Sequence, residues 1–190
     1  MASVNDQLGF ITEGSLSAGL EMRLNPELSA EKLRVGTFAV IEGERNRYFA
    51  MLEDVRLKAS DSAALISPPK GELARTVLQG TAYFTTATMR PMLMIDREAS
   101  ADDPDSFLPV KSIPPHFSQV HEASTEDIQR VFGSEERDKK YFELGRPLDM
   151  DTPICLNLDR WVERSNAIFG KSGTGKTFLT KLAQIGRAHV

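Results

Sequence analysis

The run Gly170-Lys171-Ser172-Gly173-Thr174-Gly175-Lys176-Thr177 fits the pattern G-x-x-x-x-G-K-[ST] in full and ends thirteen residues before the last residue of the chain. It constrains the fold because the pattern works in one context only: a strand delivers the chain to the loop and a helix leads it away. The flanks agree. Ala167-Ile168-Phe169 is a short apolar run that predicts the strand, and Phe178-Leu179-Thr180-Lys181-Leu182-Ala183 carries apolar residues at helical spacing. Glycines at 170, 173 and 175 let the backbone curl until successive N–H groups converge, and the helix N-terminus adds its positive dipole end. The expected ligand is a nucleoside triphosphate, ATP, with Mg²⁺. Gly170, Lys171, Ser172, Gly173, Thr174, Gly175, Lys176, Thr177 and Phe178 are the candidate ATP-binding residues. Lys176 is the candidate catalytic residue, reaching the β- and γ-phosphates, and the Thr177 hydroxyl is the candidate Mg²⁺ ligand.

The rest of the chain has to be large enough to carry such a loop. Its 190 residues, 41% apolar and 26% charged, are ordinary for one or two globular domains. The apolar runs are too short to span a bilayer, and Met1-Ala2-Ser3-Val4-Asn5-Asp6 lacks the basic and apolar regions of a signal peptide. The expectation is a cytoplasmic protein with no membrane partner. Cys155 is the only cysteine, which excludes an intrachain disulfide, and between Ile154 and Leu156 it reads as a small core residue. A net charge of −4 gives no global attraction to nucleic acid, so any DNA contact has to come from local loops or a channel.

The fold class expected is mixed β and α/β: a small N-terminal β-barrel, then a truncated start of a RecA-like nucleotide-binding core. Residues 1–98 have β texture, with candidate strands at Gly9–Glu13, Thr37–Ile41, Arg47–Leu57, Thr76–Leu78, Tyr83–Thr88 and Met92–Ile95. Glu42-Gly43-Glu44-Arg45-Asn46 reads as a hairpin connection. Strands this short hide their edges best by closing on themselves, and Met89, Met92 and Met94 read as core filler. Residues 99–147 read as a linker with a short helix: Pro104, Pro109, Pro114 and Pro115 fall in one stretch rich in Asp and Ser. His116 and His121, without zinc spacing around them, read as solvated loop residues. Ser124-Thr125-Glu126-Asp127 before Ile128, Val131 and Phe132, with Gly133 closing the segment, reads as a capped two-turn helix. The three acids and three bases of Glu135–Lys140 read as a solvated helix face. Residues 148–190 form the third part, in which Ile154, Leu156 and Leu158 alternate as a strand leading to Trp161.

This order of parts resembles the HerA family. The resemblance rests on Tyr141-Phe142-Glu143-Leu144-Gly145-Arg146-Pro147, on Pro153-Ile154-Cys155-Leu156-Asn157-Leu158-Asp159, and on Val162-Glu163-Arg164-Ser165-Asn166-Ala167-Ile168-Phe169-Gly170. In the barrel it is diffuse, carried mainly by Leu8-Gly9-Phe10-Ile11 and Val35-Gly36-Thr37-Phe38-Ala39-Val40. Glu143 to Thr177 is the specific part. One departure stands out: the family loop usually reads T-G-S-G-K-S, whereas Ser172-Gly173-Thr174-Gly175-Lys176-Thr177 exchanges the hydroxyl residues and keeps an oxygen for Mg²⁺. Members are hexameric P-loop ATPases related to the FtsK-type DNA translocases. The resemblance therefore implies a homo-hexamer that uses ATP to move or unwind double-stranded DNA in end processing or repair, with a nuclease partner docked through the barrel.

Other classes share this order of parts: a secretion, conjugation or rotary-type ring ATPase, or a nucleotide-sensing assembly module without turnover. Phosphoryl transfer also needs a carboxylate at the end of a neighbouring strand, and usually an arginine from an adjoining subunit. The fourteen residues after Lys176 contain no acid. We therefore expect this 190-residue chain not to hydrolyse ATP by itself. Ile185-Gly186-Arg187-Ala188-His189-Val190 is one reading frame of a common short-read sequencing adapter, whose next triplet is a stop, so the authentic sequence is expected to run only to about Gln184. Resequencing the locus should show a different continuation after Gln184; a genomic stop following Val190 would remove this expectation.

Overall fold

The architecture follows from where alternating apolar residues meet. The computed structural model describes residues 7–60, 71, 73, 77–78, 81–98, 106–148, 150–163 and 165–181. The chain divides into two units, Met1–Ala123 and Ser124–Val190. In the first, the strands are β1 (Gln7–Ser15), β2 (Gly19–Leu24), β3 (Phe38–Glu42), β4 (Asn46–Ala59), β5 (Tyr83–Asp96), β6 (Phe107–Leu108) and β7 (Gln119–Glu122). Every pairing is antiparallel. The order β2-β1-β7-β3-β4-β5 closes because β2 also pairs with β5, through Leu20 to Met89 and Arg23 to Thr86, while β6 extends β5 at Met94 and Ile95. The result is a closed barrel of six strands with one short accessory strand.

Its interior is filled by Ile11, Leu20, Met22, Ala39, Ile41, Tyr48, Ala50, Leu52, Ala87, Met89, Met94 and Val120. A barrel of so few strands has room only for its own side chains, so the interior is a packed core and not a channel. Ala87 opposite Met22 sets a small side chain against a large one. Met89 and Met94 take the filler role expected of them, while Met92, which the register skips between the pairs Phe49–Leu93 and Ala50–Pro91, is 46% exposed. Truncation of a fully buried side chain such as Phe49 to alanine is expected to cost about 3–5 kcal/mol.

Closure needs bends, and the register shows them. The pairing slips between Ile11 and Glu13, between Phe49 and Ala50, and between Leu52 and Asp54. Such bulges sharpen the local twist. Pro91 lies opposite Ala50 beside one of them, where a residue lacking an N–H is tolerated. That is why the two candidate strands around residues 83–88 and 92–95 are one continuous β5. The connection from Glu42 to Asn46 is a hairpin as expected, with the Gly43 N–H donating to the Asn46 carbonyl at 3.0 Å and Arg47 Nε donating to Glu42 Oε1 at 2.7 Å.

Three expectations fail in this unit. The segment read as linker supplies β7, which pairs with β1 on one side and β3 on the other, so the barrel sheet runs on to Glu122. His121 is accordingly on a strand and half-buried, with Nδ1 buried and lacking a hydrogen-bond partner among the described residues, whereas His116 is exposed. Val77 and Leu78 are helical and Thr76 lies outside the described residues, so no strand forms there; β2 was not anticipated at all. Phe117 is the one non-glycine residue in left-handed conformation among the described residues, at φ 64°, with its N–H donating to the Ile11 carbonyl at 2.8 Å.

The second unit begins with α1 (Thr125–Phe132), whose start is a reciprocal cap: the Ser124 side chain accepts from the Asp127 N–H while the Asp127 carboxylate accepts from the Ser124 N–H. Ile128 is its buried anchor, 1% exposed. Gly133 ends the helix at φ 79°, and residues 135–140 form turns rather than the expected helix face. In those turns a hydrogen bond from Lys140 holds the Asp138 carboxyl below its ordinary range. Next, β8 (Tyr141–Gly145) and β9 (Ile154–Asn157) pair antiparallel, and Asn157 caps the short α2 (Leu158–Val162) by accepting from the Arg160 N–H at 3.1 Å. Of the residues Ile154, Leu156 and Leu158 that alternate in the sequence, Ile154 and Leu156 are half-buried on β9. Cys155 is buried at 7%, as expected of a small core residue, and Leu158 is buried at 2% because the strand ends at Asn157 and Leu158 turns inward from the helix.

Two glycines carry testable weight. A Cβ on Gly9 would lie 2.0 Å from the Arg23 carbonyl oxygen, so β1 and β2 approach this closely only without a side chain. A Cβ on Gly133 would lie 2.1 Å from the Tyr141 ring, in a backbone conformation that already disfavours it. Each change to alanine should cost about 2–4 kcal/mol. Trp161, the only tryptophan, reports on the second unit. Urea unfolding followed by Trp161 fluorescence should shift for G133A, whereas G9A should shift the barrel's far-ultraviolet circular dichroism transition and leave the Trp161 signal in place.

Candidate phosphate-binding loop

The approach to the loop is irregular. After α2, Asn166 Nδ2 donates to the Trp161 carbonyl, and residues 165–170 form neither strand nor helix. The strand expected at Ala167-Ile168-Phe169 is therefore absent, and Phe169 is 90% exposed. A strand exists only as part of a ladder. Among the described residues none lies beside 167–169 to share one, and parallel strands of a nucleotide-binding core depend on neighbours and covering helices on both sides. The helical expectation does better: residues 176–181 form α3, opened by the Leu179 N–H donating to the Gly175 carbonyl at 2.9 Å.

Within the loop the glycines divide by role. Gly173 and Gly175 both stand at φ 81°, and nothing lies within 4 Å of where a Cβ would be. What they supply is the left-handed backbone itself. Gly170 is different: a Cβ there would fall 2.9 Å from Thr174 Oγ1 and 3.5 Å from Cγ and Cδ of Lys176. Its bare Cα lets the lysine stem cross the loop.

Lys176 uses that crossing to tie the loop together. Its Nζ donates to the Gly170 carbonyl at 2.8 Å and to the Lys171 carbonyl at 2.5 Å. An ammonium has three donors, so one remains for a phosphate oxygen. Lys176 is half-buried, whereas Lys171, Ser172, Gly173, Thr174, Gly175, Thr177 and Phe178 are exposed. The Thr174 hydroxyl donates to the Lys171 carbonyl at 2.7 Å, and the Thr180 hydroxyl donates to the Lys176 carbonyl at 2.9 Å.

This arrangement fits a polyphosphate. From Arg164 to Val190 the sequence has no carboxylate, while Lys171 and Lys176 bring positive charge to the loop and the start of α3 adds its dipole end. Thr177, exposed in the first turn of α3, fits a Mg²⁺ that takes its other ligands from phosphate and water. Phe178 is 67% exposed. Gly170, Lys171, Thr174 and Lys176 are thus drawn together, and Thr177 and Phe178 stand apart from them. What sequence reasoning missed is the pair of backbone acceptors on Gly170 and Lys171, since a carbonyl is present at every residue and no pattern marks these two.

A comparison with curated proteins finds no match. Residues 142–183 match the family described as "Helicase HerA, central domain", a span that takes in most of β8, all of β9 and α2, and the whole of loop 170–177. Over that span the chain is similar to the central domain of HerA-type ATPases.

Proposed function

We propose that the full-length protein is a ring ATPase that binds MgATP through loop 170–177 and uses its hydrolysis to translocate or unwind double-stranded DNA in end processing or repair. The observation that carries this reading is the lysine-bridged loop lying inside the span similar to the HerA central domain. Lys176 would hold the loop's two ends together and place its remaining donor on a β- or γ-phosphate oxygen. Thr177 would hold Mg²⁺, which supplies the charge neutralisation that phosphoryl transfer requires. Backbone N–H groups presented by Gly173 and Gly175 would orient the chain of phosphates. A homo-hexamer completes the proposal, each site being closed by a neighbouring subunit.

The barrel's part in this reading is assembly, including a nuclease partner, rather than DNA contact. Several of its bases are committed to carboxylates: Lys58 to Glu21 at 2.5 Å, Arg56 to Asp54 at 2.7 Å, Arg90 to Glu53 at 2.5 Å and Arg47 to Glu42 at 2.7 Å. Hydrogen bonding to Glu53 raises the Arg90 pKa further above its ordinary value. Bases already paired release few counterions on meeting phosphates, so a barrel built this way tracks DNA poorly.

In the full-length protein, K176A should lower ATP hydrolysis by about 100-fold or more and weaken MgATP binding. T177A should reduce Mg²⁺-dependent turnover more than nucleotide affinity. Wild-type hydrolysis in K176A would refute the loop's role. Hydrolysis should also rise with duplex DNA, and the mass in solution should be that of a hexamer. A monomer indifferent to DNA would favour a motor of the secretion, conjugation or rotary type.

A further inference from the structure

We infer that Thr174 is a positioning residue for Lys176 and not a ligand of the phosphates. The inference rests on the phosphate-binding reading of the loop and refines it, since the loop pattern leaves position 174 unspecified. A threonine hydroxyl has one proton to donate. Here that proton goes to the Lys171 carbonyl, at 2.7 Å, with the Thr174 N–H directed to the same oxygen at 3.4 Å. Phosphate oxygens of MgATP are acceptors, so a hydroxyl already donating elsewhere has nothing to offer them.

What the Thr174 hydroxyl does instead is fix one of the two acceptors on which Lys176 depends. The Lys171 carbonyl receives the Lys176 ammonium at 2.5 Å as well as the Thr174 proton. A loop carbonyl is otherwise free to turn to water, and the lysine would lose a held partner. Gly170 completes the device: a Cβ there would come within 2.9 Å of Thr174 Oγ1 and touch the lysine stem, so its absence lets threonine and lysine reach the same oxygen. Three residues are thereby interlocked: Gly170 leaves space, Thr174 orients the Lys171 carbonyl, and Lys176 is held across the loop.

The test uses T174V, which keeps the side chain's shape and removes the hydroxyl, with T174S as the rescue and G170A as an independent disturbance of the same hydrogen bond. Two readouts are taken on the full chain. The first, without nucleotide, is the rate at which an N-hydroxysuccinimide acetate acylates Lys176, measured by peptide mass spectrometry against exposed Lys181 as internal reference. The second is MgATP affinity. The expected result is severalfold faster acylation of Lys176 in T174V and G170A, MgATP affinity about fivefold weaker in T174V, the usual net worth of one hydrogen bond, and a return towards wild type in T174S. Weaker MgATP binding in T174V with Lys176 reactivity unchanged would make Thr174 a direct ligand and overturn the proposal, as would no change in either readout. If wild type binds no MgATP, the phosphate-binding reading itself fails, and the acylation rates alone decide the role of Thr174.

Discussion

The ladder between β2 and β5 is the constraint on which the first unit depends. Without it, six antiparallel strands would form an open ribbon with β2 exposed at one edge, and an exposed edge is a row of unsatisfied backbone groups. With it, Leu20, Met22 and Met89 meet inside a closed wall, each nearly inaccessible to solvent. Closure in turn dictates the local irregularities. The bulges at Ile11, Phe49 and Leu52, the proline at 91 and the side-chain-free contact at Gly9 all lie where the sheet has to bend or where strands approach closely.

The second unit works at smaller scale and through backbone chemistry. Gly133 lets Tyr141 lie against the end of α1, Asn157 converts β9 into α2 in one residue, and Gly173 and Gly175 turn the loop. Lys176 gathers that loop by its side chain. The site is therefore held by few hydrogen bonds, most of them to carbonyl oxygens of the loop itself. Its shape is local, which is why it can be described within this unit alone.

Legibility in the sequence followed locality. The loop could be read because its glycines answer to backbone conformations that other residues resist, and the helix at Thr125–Phe132 because its cap lies within four residues of itself. The long strands β4 and β5 showed enough apolar periodicity to be found. In contrast β7, Gln119-Val120-His121-Glu122, has one apolar residue, and only pairing with β1 and β3, both distant in sequence, makes it a strand. Likewise Ala167-Ile168-Phe169 has the composition of a strand but no ladder among the described residues. For β7 the decisive partners are remote in sequence, and for 167–169 composition without a ladder makes no strand.

The position of β7 has a mechanical consequence. Since β1 and β7 are neighbours, the chain enters and leaves the barrel at one seam, and Ala123 continues the grip beyond it by donating its N–H to the Phe38 carbonyl at 3.0 Å. Any tension on the chain at Ser124 is delivered to the barrel through this four-residue strand. A strand clamped between two antiparallel neighbours and pulled along its length loads its hydrogen bonds together, in shear, instead of opening them one by one. The barrel's last strand is thus a tether that resists a pull along its own length.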